Sequence, residues 1–303
     1  MGAPVSKCLA VLLCAIGGFS SAAAHAELYY LIVGGLGGEQ LYEDRFAAQT
    51  LALAQAASRT VSDESRVTVL RGDDANRDSV RTSLSELAGQ TSESDSVAVF
   101  LVGHGSYDGS LYKFNLPGPD IDGEELGDLL GAVPARSQLI VVASSASGAV
   151  LQDWATEGRT VITATRSGAE RNASRFGEHW ADALSSDDSD INKNGVITAQ
   201  EAFEYASRKV ADSYESEGAL ATEHPQLVGE FAGRFDVSRL SARVASTPRL
   251  QILIAELEAL EGQVAQLRLR REEMTADGYL QQLQGLLVEL ALVQQQIDAE
   301  EAE

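Results

Sequence analysis

Cysteine is nearly missing from this chain: 303 residues contain two, Cys8 and Cys14, both close to the amino terminus. Basic residues are scarce, with 23 Lys and Arg set against 45 Asp and Glu, and the formal net charge is −22. Such a surface repels nucleic acid and anionic membrane and attracts cations. No apolar run approaches the roughly 20 residues that a membrane-spanning helix needs. Nucleic-acid binding and a membrane span are therefore not expected.

The amino terminus carries Lys7, an apolar run from Cys8 to about Phe19, and small residues ending at Ala24, His25 and Ala26. This pattern predicts a secretory signal peptide over residues 1–26, cleaved before Glu27, and an exported protein, periplasmic or secreted. Met1 to Ser6 fits an acylation pattern and Cys14 could carry a lipid. Both readings are weaker, because an export signal follows Gly2 directly and Val11, Leu12 and Leu13 are not the small residues that precede a lipidated cysteine. Cleavage would remove both cysteines, which excludes a disulfide, a cysteine metal ligand and a cysteine nucleophile. What remains has 22 basic against 45 acidic residues.

Short, β-branched apolar runs recur at 28–34, 66–70, 97–102, 138–143 and 160–164, each the kind of strand that is covered on both faces. Helical patterns lie between them at about 43–58, 77–89 and 122–131. Strands alternating with helices predict an α/β fold, a three-layer domain around a parallel sheet.

The pattern changes after Pro225. Residues 229–246 read as a linker, and Pro248 behind Thr247 marks a helix start. From Leu250 to Met274, and again from Tyr279 to Ile297, apolar residues alternate at spacings of three and four. That heptad seam predicts an α-helical coiled-coil hairpin over 247–303. The seam can pack as ordinary core, or serve self-association or a partner helix through 247–298.

Two strand ends carry chemistry. The run FLV ends in Gly103, His104 and Gly105, and LIVVA ends in Ser144, Ser145, Ala146, Ser147 and Gly148. In an open parallel sheet, ligands gather at the carboxyl ends of strands. If the two strands are neighbours, a base (His104), a nucleophile (Ser145) and a backbone donor for an oxyanion (Gly105) share one crevice, the minimal acyl-transfer site. Gly148 can serve the sharp turn into the next helix.

These residues resemble those of the caspase-fold peptidases, most closely the legumain-like family, in which one strand ends in His-Gly and the next in a nucleophilic Cys followed by any residue, Ser and Gly. The resemblance spans roughly 28–228. It implies a peptide or protein ligand in the His104/Ser145 cleft, and pocket roles near Arg45 and over 164–168, which include Arg166. Ser145 stands where the family's sulfur would be. A thiol is partly ionised near neutrality, so one His can activate it, whereas a serine needs its base held by an acid. Asp108 and Asp153 are the nearest candidates in sequence. The expectation is a catalytically inactive peptidase homologue; the alternative is a Ser-His hydrolase with Ser145 as nucleophile and His104 as base.

Residues 190–201, DINKNGVITAQE, form a twelve-residue calcium-loop pattern of the EF-hand type within 27–228. Oxygen donors fall at Asp190, Asn192 and Asn194, Gly195 takes the sixth position, Val196 supplies a carbonyl, Thr198 a water-bridging hydroxyl, and Glu201 closes the loop. Bound Ca2+ is the cofactor this predicts. With two formal charges the site should be weak, and a lone loop suits a structural clamp better than a sensor. The GGLGG stretch at 34–38 lacks the Lys and hydroxyl of a phosphate loop. Arg71-Gly72-Asp73 reads as a strand-end turn.

Overall fold

A computed structural model describes residues 26–241 and 247–301; the predicted signal peptide, apart from Ala26, and both cysteines lie outside that range. The elements run β1 (Leu28–Gly34), α1 (Gln40–Thr60), β2 (Val67–Leu70), α2 (Arg77–Gln90), β3 (Ser96–Val102), β4 (Gly105–Tyr107), β5 (Tyr112–Phe114), β6 (Ile121–Asp122), α3 (Gly123–Gly131), β7 (Ser137–Ala143), α4 (Leu151–Trp154), β8 (Arg159–Thr163), α5 (Phe176–Ala183), β9 (Val196–Thr198), α6 (Ala199–Ser216), β10 (Gln226–Val228), β11 (Asp236–Arg239), α7 (Pro248–Leu269) and α8 (Ala276–Glu301).

The main sheet has the order β10-β8-β7-β3-β1-β2, parallel throughout except for β10. All five expected strands are in it. Alternation along each strand divides the core into two layers. Tyr30, Ile32, Phe100, Val141 and Ile162 face α1, α5 and α6 with Phe46, Leu53, Phe176 and Trp180. Leu31, Val33, Val99, Leu101 and Val142 face α2, α3 and α4 with Leu84, Leu126 and Trp154. This is a three-layer α/β architecture, as the apolar strand runs require. Local signals set the helix starts: Asn76 caps α2, Asp122 caps α3, and Thr198 with Glu201 forms a capping box on α6.

Three elements departed from sequence expectation. A small antiparallel sheet, β4-β5-β6, grows directly out of the His104-Gly105 stretch. β10 closes the edge of the main sheet beside β8. Residues 229–240, expected as part of a linker, instead supply β11, which pairs with β9, and bury Ala232, Phe235 and Val237 in the core. Their side chains alternate too briefly to register as a strand, and only the β9 edge satisfies them.

The carboxyl-terminal seam closes α7 on α8 through Leu250, Leu253, Leu257, Leu260, Val293 and Ile297. α7 is tied to the parent domain by polar contacts: Glu258 accepts from Ser62 at 2.6 Å, and Glu261 pairs with Arg239 at 2.5 Å. Among the described residues no helix is long and apolar enough to cross a membrane.

Candidate functional site

The strand order reverses between β1 and β3, because β2 lies outside β1 on one side and β7 follows β3 on the other. The crevice at such a reversal is the ligand position of open α/β sheets. Gly35 N–H donates to the Val102 carbonyl at 2.8 Å there, so the loops after β1 and β3 are joined at the same rim. β3 and β7 are adjacent and parallel, with Val102 opposite Ala143. His104 and Ser145, each two residues beyond that pair, therefore emerge side by side.

Their backbones are close. A Cβ on Gly105 would lie 2.5 Å from the Ser145 carbonyl and 2.8 Å from the Ser144 hydroxyl, so only glycine fits. The His104 carbonyl accepts from Asn115 N–H at 3.0 Å, and the alternation of an antiparallel ladder then turns the Gly105 N–H away from β5. Past Ser145, Ala146 sits at φ 58°. That left-handed turn costs about 1–2 kcal/mol for a residue with a Cβ. It is held by Ala146 N–H donating to the Glu170 carbonyl at 2.8 Å. A Cβ on Gly148 would meet the Ser167 nitrogen at 2.2 Å, which accounts for the glycine at this turn.

Each serine of the cluster has a different environment. Ser144 is bound to the buried Tyr112 hydroxyl at 2.7 Å, and Ser147 to Thr165 at 3.2 Å. Ser145 is 3% exposed, and its hydroxyl makes no hydrogen bond to any described residue, His104 included. The His104 ring is held edge-on by Tyr42 and Phe46, with centroids at 4.6 and 5.0 Å. Burial lowers its pKa from the ordinary histidine value, and the Arg45 cation works in the same direction; the Gly37 carbonyl with Glu39 and Glu43 opposes them. The neutral imidazole, the form that can accept a proton, is therefore favoured at neutral pH.

Neither expected orienting acid backs this ring. Asp108 accepts from the N–H groups of Ser110 and Leu111 at 2.8 and 2.9 Å, turning the β4–β5 hairpin. Asp153 is exposed on α4. Both were candidates by sequence distance alone, which does not report which way a loop folds. Arg45 donates to the Ser174 carbonyl at 2.9 Å and lies 3.7 Å from Glu178. Arg166 is exposed and lies 3.3 Å from Glu170. The GGLGG amides are already taken, since Gly37 and Gly38 N–H both donate to Glu43.

Sequence reasoning missed Tyr112, Glu170 and His224. Glu170 bonds His224 Nδ1 at 2.6 Å while its carbonyl holds the turn after Ser145. None belongs to a motif, and sequence separations of 54 and 32 residues leave no local signal.

A second constellation lies between α5 and α6. Asp190, nearly fully buried, accepts from Asn194 and Gly195 N–H at 3.2 and 2.8 Å; Asn194 Oδ1 accepts from Val196 N–H at 2.8 Å. Glu201 reaches back across the loop to Ile191 N–H at 3.2 Å and to the Asn192 amide at 3.1 Å, while its other oxygen accepts from Thr198. Lys193 and Gly195 take positive φ, of 59° and 78°. Val196–Thr198, the seventh to ninth loop residues, pair with β11. The loop thus gathers hard oxygen donors around a closed backbone, a donor set that fits Ca2+. Among the described residues no three of His, Cys, Asp and Glu come together, so the amide and carbonyl oxygens of this loop would have to complete any shell.

The chain matches the model of the peptidase C13 family over residues 50–234. That span runs from within α1 to the turn before β11 and takes in both His104 and Ser145. No curated protein matches. Among solved structures, protein GSU0716 from Geobacter sulfurreducens is 15% identical with a TM-score of 0.45, covering 72% of this chain and 98% of its own. The Drosophila initiator caspase Dronc is 11% identical with a TM-score of 0.43, covering 79% and 92%. Caspase-1 from Spodoptera frugiperda is 11% identical with a TM-score of 0.44, covering 68% and 89%. Likenesses at this level carry no argument about chemistry.

Proposed function

The chain belongs to the peptidase C13 family, and from that premise we propose that it is an exported, calcium-stabilised member which holds peptide in the cleft at His104 without cutting it. The observation that carries this reading is the Ser145 hydroxyl, which has no hydrogen bond to His104, beside a ring that bonds the Gly37 carbonyl and is hydrogen-bonded to no described carboxylate, Glu39 and Glu43 acting on it only through their charge. An alkoxide precursor of such low acidity needs both. The neighbouring geometry, Gly105 against the Ser145 carbonyl and the αL turn at Ala146, supports an inherited binding site.

Hydrolysis is the competing reading. A fluorophosphonate probe separates the two: no labelling of Ser145 and no cleavage across a peptide library are expected. Labelling that His104→Ala abolishes would establish a working hydrolase instead.

Assembly is supported by a separate feature. α8 leaves a second apolar stripe exposed, Leu280, Leu287, Val288 and Leu292, each about half or more accessible. The helix from 279 to 297 bears one charge, Glu289, in a chain of net charge −22. A second copy of this chain can meet that stripe without the repulsion it would suffer elsewhere. Light scattering should give a dimer that Leu287→Asp with Leu292→Asp converts to monomer; a wild-type chain that stays monomeric at all concentrations rules this out.

A further inference from the structure

Arg159 opens β8 at the amino-terminal rim of the sheet, the rim opposite His104 and Ser145. Strands of seven residues put the two rims about 20 Å apart. Its side chain is held on two sides: Nε donates to Gln138 Oε1 at 2.8 Å and Nη1 to the Trp154 carbonyl at 3.2 Å. Gln138 cannot turn away, because its amide nitrogen is spent on the Val133 and Ala135 carbonyls at 2.9 and 3.0 Å. The guanidinium is therefore fixed in place by neutral acceptors alone.

It is also without a counter-charge. Arg159 is 7% exposed, yet no described carboxylate lies within ion-pair distance. Burial is the single influence on its pKa, downward, with no acid pulling it back. This is unusual in a chain where acids outnumber bases nearly two to one, and where Arg77, Arg81, Arg175 and Arg239 are all paired with carboxylates. A buried, unpaired cation is strongly unfavourable, and a bound anion is what would relieve it.

The space for one is present. Arg159 lines one end of a cleft of about 1160 Å³ that runs along α3 and α4 from the β4–β5 hairpin (Tyr107, Leu111, Tyr112) to the end of α7 and the turn joining it to α8 (Gln266, Arg270), with Trp154 and Phe231 as apolar walls. Gln266 of α7 lines the same cleft, and its buried amide nitrogen has no acceptor. Two donors lacking acceptors thus border one cavity of ligand size. Five exposed carboxylates also border it, Glu124, Asp128, Asp153, Glu157 and Glu273, with the exposed Arg136 and Arg270 beside them, and they limit the occupant to a ligand whose acidic group is small enough to reach Arg159 past the acids.

We infer that the Arg159 end of this cleft, whose lining includes neither His104 nor Ser145, is a second binding site which takes a small ligand through a carboxylate or phosphate oxyanion seated on the Arg159 fork. Arg presents such groups with a planar pair of donors, and Nη2 is the one left unused here. The test uses inorganic phosphate and succinate in turn, exchanged against chloride at constant ionic strength. A saturable rise in Tm is expected, about 5 °C at a hundredfold excess over Kd. Arg159→Gln should weaken the affinity about tenfold or more, while His104→Ala leaves it unchanged. Response to phosphate alone or to succinate alone identifies which oxyanion the site takes. No saturable response to either, or a response retained in Arg159→Gln, overturns the assignment. Should Arg159→Gln fail to fold, the Arg159 Nε–Hε resonance of the wild-type chain decides instead: it shifts on titration if the site is real, and stays fixed if it is not.

Discussion

Ser145→Cys is expected to convert an inert residue into the most reactive thiol the cleft can offer, alkylated by iodoacetamide about tenfold faster, with a ceiling of about thirtyfold, than the same chain carrying a second substitution, His104→Ala. The magnitude follows from acidity. A cysteine of ordinary pKa near 8.5 is a few per cent thiolate at neutral pH. A neighbouring neutral imidazole that accepts its proton raises that fraction toward unity. The structure supplies the geometry: the two strand ends are adjacent and the ring is held by Tyr42 and Phe46, while burial, which disfavours the imidazolium, works against full proton transfer and keeps the expected factor below its ceiling. Cys8 and Cys14 are the only other thiols, so the modified site can be read by mass without ambiguity. Equal rates with and without His104 would mean that the imidazole does not face residue 145, and the inherited-cleft reading would fail with it.

The second large effect is calcium. Titrating the chain with Ca2+ should raise its stability, by about 2.7 kcal/mol once the free ion exceeds Kd a hundredfold. Glu201→Gln is the informative substitution. Glu201 closes the loop and also forms the capping box with Thr198. Glutamine keeps an oxygen for the Thr198 N–H but loses the charge and the bidentate grip that a hard cation requires. The variant should therefore fold and lose the calcium response. Asp190→Asn should do the same, though with a larger loss in the absence of metal, since both Asp190 oxygens hold loop amides. A melting curve that calcium leaves unmoved would remove the metal from the account and leave residues 190–201 as a structural turn.

Pairing of Val196–Thr198 with β11 bears on what that metal would do. Residues 236–239 are held to the loop by backbone hydrogen bonds, and Val237 enters the main core. Ion binding would consequently stiffen the last strand before the hairpin begins at Pro248, and through it the attachment of α7. Such binding would act as a clamp, since no second loop of this kind occurs among the described residues.

The sequence by itself determined the elements whose signals are local. Apolar β-branched runs gave five strands because both faces of a central sheet are covered, so no polar alternation interrupts them. Thr247-Pro248 and Asp122 marked helix starts through their own side chains, and the spacing of Asp190, Asn192, Asn194, Gly195 and Glu201 was legible because one loop carries all of them. Adjacency of His104 and Ser145 could be anticipated, since successive crossover connections tend to put strands side by side. Only the tertiary structure decided the rest. Whether an acid backs His104, that Glu170 secures the turn after Ser145, that Asp236–Arg239 pairs with β9, and that Arg159 is buried without a counter-charge all depend on segments far apart in the chain. Such contacts are fixed by how loops pack once the sheet has formed, and no periodicity or spacing within a single segment encodes them.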